Sequence, residues 1–325
     1  MKLNVRTLAI AAAMSLIALG SAQAQTKLKW AHVYETSEPY HTAALWAAGE
    51  IAKRTNNRYT VEVFPASTLG KETDINQGLT LGTVDIIYTG QLFAGRTYGP
   101  IAIGGAPFMF RDFDHWKAFA ASPLFNELAE GYRQKSGGHK VSAITYYGER
   151  HVTSNRAINK PEDMKGLKIR VPDAPLYTMF PRAVGANPTP IAFAEVYLAL
   201  QNGTVDAQEN PLPTIDAKKF YEVQKFIVLT GHITDALLSI VSSGTWNKLS
   251  DADKAAFDAV LKEAASRATT QIIEMEKNLG AEFKKKGKEV VAVNRAPFRE
   301  ATMKLHNGPD ATWPKAVYDK LQAIK

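Results

Sequence analysis

Not one cysteine occurs in the 325 residues, which excludes a disulfide framework, a thiol nucleophile and a cysteine-ligated metal site. The fold must therefore stand on packing alone. Equally missing are Gly-x-Ser-x-Gly, His-Glu-x-x-His, a phosphate loop, a dinucleotide fingerprint and a calcium loop; "AIGGAPF" (Ala102–Phe108) has two glycines at the wrong spacing. No metal or cofactor is expected. The densest basic run, "KKKGK" at Lys284–Lys288, carries no interleaved aromatics of the kind that stack bases, so nucleic acid is not an expected partner. Long apolar runs are scarce as well. The one at Leu8–Leu19 is shorter than the roughly 20 residues a spanning helix needs. With Lys2 and Arg6 before it and Ala22-Gln23-Ala24 after it, it reads as a secretory signal over residues 1–24, cleaved near Ala24 to release a protein that begins near Gln25, outside the cytoplasm.

What remains is an ordinary globular composition, 45% hydrophobic and long enough for two lobes. Lys2 and Arg6 account for two of the seven net positive charges, leaving +5 on the exported chain. A mildly basic surface draws anionic small molecules toward a cleft.

The order of elements is that of an α/β protein. "LKWAHV" (Leu28–Val33) reads as a strand. The helix after it has Ser37 as its cap, Pro39 in its first turn, and Leu45, Ala48, Ile51 and Ala52 on its apolar face. The strand "YTVEVFP", a helix over Glu72–Leu81 and the strand "VDIIYTG" follow. A second passage of the same grammar runs from "KVSAITYYGER" through "GLKIRVPD" and a helix over Pro175–Val184 to "AFAEVYLALQNGTVDAQENP". The passages share helix end, Gly-Thr-Val-Asp, strand, with Gly82 and Gly203 fitting left-handed helix caps. Two lobes of related build are expected. From Ser250 onward, a capping Ser250–Asp253 pair and apolar residues at helical spacing, Phe257 to Leu279, mark a long helix that serves either as a strut along both lobes or as a coiled-coil partner.

Ligands of open α/β sheets sit beyond the carboxyl ends of the strands. Here those ends carry Thr89 and Gln91 in one half and Gln208, Glu209 and Asn210 in the other. In "LKIRV", alternation sets Leu167, Ile169 and Val171 on one face and Lys168 with Arg170 on the other, as an exposed edge strand also would. A second arginine, Arg150, ends the strand of "YYGER". Arg170, Arg150 and Asn210 together would form a fork of donors for a carboxylate. Phe193 is either core or a wall for the apolar face of a sugar-like ligand. His32, Tyr34 and Glu72, with Gln91, are the polar candidates of the opposite lobe. A hydrolase or lyase acting through Glu72 or Glu209 with His32 is the competing class.

The stretches "FPASTLG", "APFMFRD", "TSNRAINKPEDMKGLKIRVPDAP", "GANPTPIAFAEVYLALQNGTVDAQENP" and "KKFYEVQKFIVLTGH" resemble the solute-binding proteins of tripartite ATP-independent periplasmic (TRAP) transporters, extracellular solute-binding family 7. The resemblance implies a two-lobe periplasmic-binding-protein-like α/β fold crossed by a long helix. One lobe would take residues 25–147 plus about 236–275, the other 148–235 plus about 276–325. It implies a monomeric, non-enzymatic carrier that closes around an organic acid and passes it to a membrane permease. Arg170 would grip the ligand carboxylate, with Arg150, Asn210 and Phe193 beside it. Relatives that bind sialic acid carry an acidic residue where this chain has Gly90-Gln91, and others bind four-carbon dicarboxylates. The polar first-lobe residues favour a sugar acid, a uronate or aldonate.

Overall fold

A computed structural model describes residues 25–325; residues 1–24, expected to be a secretory signal, lie outside them. A single mixed sheet of nine strands runs through the whole molecule, in the order β2-β1-β3-β8-β4-β7-β5-β6 with β9 on β8. The strands are β1 (Thr26–Ala31), β2 (Tyr59–Phe64), β3 (Ile86–Gly90), β4 (Lys140–Ser154), β5 (Lys168–Val171), β6 (Asn187–Pro190), β7 (Ala207–Pro211), β8 (Phe226–Val241) and β9 (Glu289–Val291).

The repeat in the sequence is a repeat in the fold. β1 pairs in parallel with β2 and β3, and β5 in parallel with β6 and β7. Trp30 faces Ile86 across β1 and β3 as Ile169 faces Ala207 across β5 and β7. The Gly-Thr-Val-Asp turn builds both copies identically. Gly82 and Gly203 sit at φ of +72° and +74°, the left-handed region where glycine carries no Cβ penalty. Val84 and Val205 are buried. Asp85 accepts a hydrogen bond from the Lys29 amide at 2.8 Å, and Asp206 from the Lys168 amide at 3.1 Å. Each aspartate thus ties the start of one parallel strand to its neighbour.

Helix α1 (Pro39–Arg54) starts on its proline, but Glu38 stands at the cap position and Ser37 caps nothing. Its buried face is Tyr40, Ala43, Ala44, Ala47 and Ile51, whereas Leu45 is 52% exposed; the aromatic Tyr40 drew the helix round so that its stripe leads the core. Helix α2 (Glu72–Leu81) follows β2, and α3 (Phe113–Ala120) and α4 (Pro123–Lys135) precede β4. In the second half, α5 (Val196–Gln201) leads into β7 and α6 (Leu212–Ala217) leaves it. Ser250 caps α7 (Asp251–Lys285) by accepting from the Asp253 amide. This 35-residue helix packs on α1, β4 and α6, the strut rather than a coiled-coil partner.

One alternative falls and one expectation changes. β5 is no edge strand: it lies between β6 and β7, which is why Arg170 is buried while Lys168 is exposed. The C-terminal segment does not stay on the second half. Helix α8 (Arg295–Met303) packs there against β8, but α9 (Lys315–Gln322) returns to α4, where Lys320 pairs with Glu127, Gln322 bonds to the Met109 carbonyl, and Trp313 and Leu321 enter the first half's core. Leu321 and Trp313 have apolar surface to bury, and the first half supplies the matching groove.

Candidate functional site

Where the carboxyl ends of β1, β3, β5 and β7 meet, a narrow cavity opens between the halves, with about 40 Å³ of free space, room for little more than one or two waters. Tyr34, Glu72, Phe93, Tyr147, Arg150, Arg170, Asp173, Tyr177, Phe193, Asn210 and Asp235 stand around it. Several contacts join the halves over it. Thr214 donates to Glu38 at 2.7 Å, Lys218 pairs with Glu35 at 2.6 Å, Lys71 with Glu195 at 3.3 Å and Arg96 with Asp173 at 3.4 Å. The halves are shut, so a sugar-sized molecule enters only when they part.

Both arginines are 2% exposed, but they are not equivalent. Arg150, on β4, is committed. Its Nε and Nη2 donate to the two carboxylate oxygens of Glu209 at 2.5 and 2.7 Å, Nη2 also donates to the Glu209 carbonyl, and Nη1 donates to Asp235 at 3.0 Å. His232 completes the cluster at 3.1 Å from Glu209, stacked on Phe180. Burial pushes the Glu209 carboxyl up, but the Arg150 charge and the hydrogen bonds from His232 and Arg150 together hold the group down at about 2. Burial pushes Asp235 up against the pull of the same arginine.

Arg170, on β5, is only half committed. Nε and Nη2 both donate to the Ile191 carbonyl, at 2.9 and 2.7 Å, while Nη1 has no partner at all. Burial lowers its pKa to about 10, with Glu209 opposing, so it stays charged at neutral pH. The end of the guanidinium formed by Nη1 and the second Nη2 hydrogen remains available. That edge matches a carboxylate in two parallel hydrogen bonds. A buried cationic donor without an acceptor is costly, and the cheapest remedy here is an anion.

The other expected residues divide. Phe193 stands half-buried on the wall, its ring 5.9 Å from the Arg170 guanidinium. Tyr34 packs on Phe193, Tyr40 and Tyr147. Asn210 reaches the cavity but is held by Tyr147 and Gln208. Glu72 sits at the wall and accepts from the Gly90 amide at 2.8 Å and from Thr89 at 2.9 Å; burial raises its pKa to about 7 despite those donors. His32 and Gln91 lie behind the wall. His32 accepts from the Tyr34 amide through Nδ1 and therefore donates through Nε2 to His41, and burial lowers its pKa to about 3, so it is a neutral structural ring. Gln91 turns away to bond the Ile101 carbonyl. With His32 behind the wall, it does not stand beside Glu72 or Glu209 as the competing hydrolase or lyase reading required. Asp235, Tyr147 and Tyr177 were not singled out from the sequence. For Asp235 a signal existed, a lone acid in the apolar run "HITDALLSIV", of the same kind that marks Arg170.

The arrangement leaves one edge of a buried guanidinium open to an anion. The family model for bacterial extracellular solute-binding protein, family 7, matches residues 30–308. The chain belongs to that family, the solute-binding proteins of TRAP transporters. Like its family, it is a transport protein and not an enzyme. Among relatives, the sialic acid-binding periplasmic protein SiaP of Vibrio cholerae is 34% identical over 99% of both chains. The 2,3-diketo-L-gulonate-binding periplasmic protein YiaO of Escherichia coli is 33% identical over 82% of both. Among solved structures, a TRAP solute-binding protein from Polaromonas sp. JS666 bound to D-erythronate is 33% identical, with a TM-score of 0.88 over 92% of this chain and 99% of that one. One from Roseobacter denitrificans with bound L-galactonate is 30% identical, with a TM-score of 0.86 over 92% and 98%. In this TRAP solute-binding protein, no described helix is long and apolar enough to cross a membrane.

Proposed function

We propose that this TRAP solute-binding protein captures a sugar acid of the aldonate or uronate type in the periplasm, as a monomer, and presents it to its membrane permease. The observation that carries the reading is the buried Arg170 with its unpartnered Nη1. The ligand carboxylate takes that edge, while Phe193 and Tyr34 supply apolar and aromatic walls and Glu72, Asp173 and Asn210 meet hydroxyl groups. A charge-assisted hydrogen bond contributes roughly 1.5–3 kcal/mol, and closure of the halves strengthens it by excluding water. Relatives with bound D-erythronate and L-galactonate support the class.

Sialic acid is the less favoured ligand on this reading, because its binders are expected to carry an acid where this chain has Gly90-Gln91. A thermal-shift screen of the mature protein against aldonates, uronates, sialic acid, dicarboxylates and neutral sugars tests the assignment. Binding to the folded state alone adds about 2.7 kcal/mol at a hundredfold excess over Kd. A shift with a sugar acid and none with the matching neutral sugar is expected; a shift with neutral sugars alone overturns the reading.

A further inference from the structure

We infer that the cleft is built for acids carrying a single negative charge and rejects those with two; the inference rests on the proposed sugar-acid reading and narrows it. Two buried guanidiniums at one cavity look like a site for two anionic groups. The hydrogen bonds say otherwise. The Glu209 carboxylate takes the Nε–Nη2 edge of Arg150, its carbonyl accepts again from Nη2, and Asp235 takes Nη1, so two carboxylates already answer one cation. Only Arg170 has an edge to give.

A second carboxylate or a phosphate on the ligand would have to find another cation. The other cations at the cleft are each already paired: Lys71 with Glu195 at 3.3 Å and Arg96 with Asp173 at 3.4 Å, both exposed pairs whose pull water and salt weaken, and Lys218, over the Phe193 ring, with Glu35 at 2.6 Å. The remaining charged groups on the wall, Glu72, Asp173 and Asp235, are all acidic. A second anion would be buried against like charge without a partner, an arrangement that costs several kcal/mol. A hydroxyl in the same place can donate to those carboxylates. Asp235 is thus a specificity residue: it occupies Arg150 Nη1 and keeps the far end of the cleft acidic.

The test compares two acids with one carbon skeleton, galactonate and galactarate, by calorimetry on the mature chain. The wild-type protein is expected to prefer the monoacid by at least ~100-fold. Asp235→Asn, nearly the same shape, removes one negative charge and loosens Arg150, and is expected to narrow that ratio by ~10-fold or more. Equal or tighter binding of galactarate by the wild-type protein overturns the inference while leaving organic-acid capture intact. A ratio unchanged in a folded Asp235→Asn variant overturns the role of Asp235; the wild-type ratio stands independently should that variant not fold. If another monoacid from the screen binds better, it is compared with its own diacid on the same terms, glucuronate with glucarate or erythronate with tartrate. If no acid binds at all, the sugar-acid reading itself fails and takes this inference with it.

Discussion

The two halves of the sheet share one frame and use it for different ends. In the first, β1 runs out into His32 and β3 ends in Thr89-Gly90, a neutral set in which His32 is tied to His41, stacked on Tyr34 and tilted against Tyr88. In the second, the matching strand ends carry Arg170 and Glu209-Asn210, and the buried charge is concentrated there. By register, Ala31 opposite Ile87 corresponds to Arg170 opposite Gln208. The same backbone position thus holds a methyl group in one half and a buried guanidinium in the other. The lesson is that the repeat specifies where a side chain will stand, and the residue placed there decides whether the position packs or binds.

The sharpest way to break this comparison is to remove the cation. Arg170→Ala is expected to weaken sugar-acid binding by ~100-fold or more, since truncating one partner of a buried charge pair costs about 2–5 kcal/mol. Arg170→Lys should lose much of that, because an ammonium cannot make the planar two-pronged contact. Calorimetry giving wild-type affinity for the lysine variant would sink the two-pronged geometry.

The shared frame has its own test. Asp85→Ala and Asp206→Ala should each cost stability without loss of ligand selectivity, about 1–3 kcal/mol for the loss of a hydrogen-bond acceptor. Asp85 should be the more costly, since it also accepts from Thr245. Urea melts of the two variants read this directly, and a silent Asp85→Ala would mean the turn does not need its aspartate.

Protonation sharpens the contrast further. Glu72, raised to about 7 by burial, faces Arg170 and Asp235. Its neutral form, favoured below that value, leaves the cleft less negative. Affinity for a sugar acid is therefore expected to fall as pH rises through about 7, and Glu72→Gln should flatten the profile. An unchanged slope in the variant would assign the dependence to Asp235, the other acid whose pKa is raised in the cleft. The smallest effect is expected at the exposed pairs that span the cleft. Glu195→Gln, which frees Lys71, should change affinity by less than ~5-fold and do so only at low salt.

Much of this was legible in the sequence, for physical reasons. The turn glycines, the Ser250 cap and the alternation in "LKIRV" are local signals, and each local conformation follows them. Arg170 stood out because a charge in an apolar strand must have a use. Partners are another matter. Arg150 reads as a free carboxylate donor until Glu209 and Asp235, 59 and 85 residues further on, are seen to hold it. His32 and Gln91 were misplaced for the same reason: strand position brings a side chain to the right end of the sheet, but which way it turns depends on His41 and the Ile101 carbonyl, which no motif announces. The edge position that the pattern of β5 also allowed belongs to β6, a strand whose two prolines hide it.

The return of the C-terminus sets a timetable for folding. The first half cannot join its sheet to the second until β8 has been made, since β8 lies between β3 and β4, and its core lacks Trp313 and Leu321 until the last dozen residues arrive. Contacts this distant in sequence form slowly, because the chain must close long loops before they reward it. The nascent protein therefore stays open and pliable for most of its synthesis and becomes a finished object only at its end.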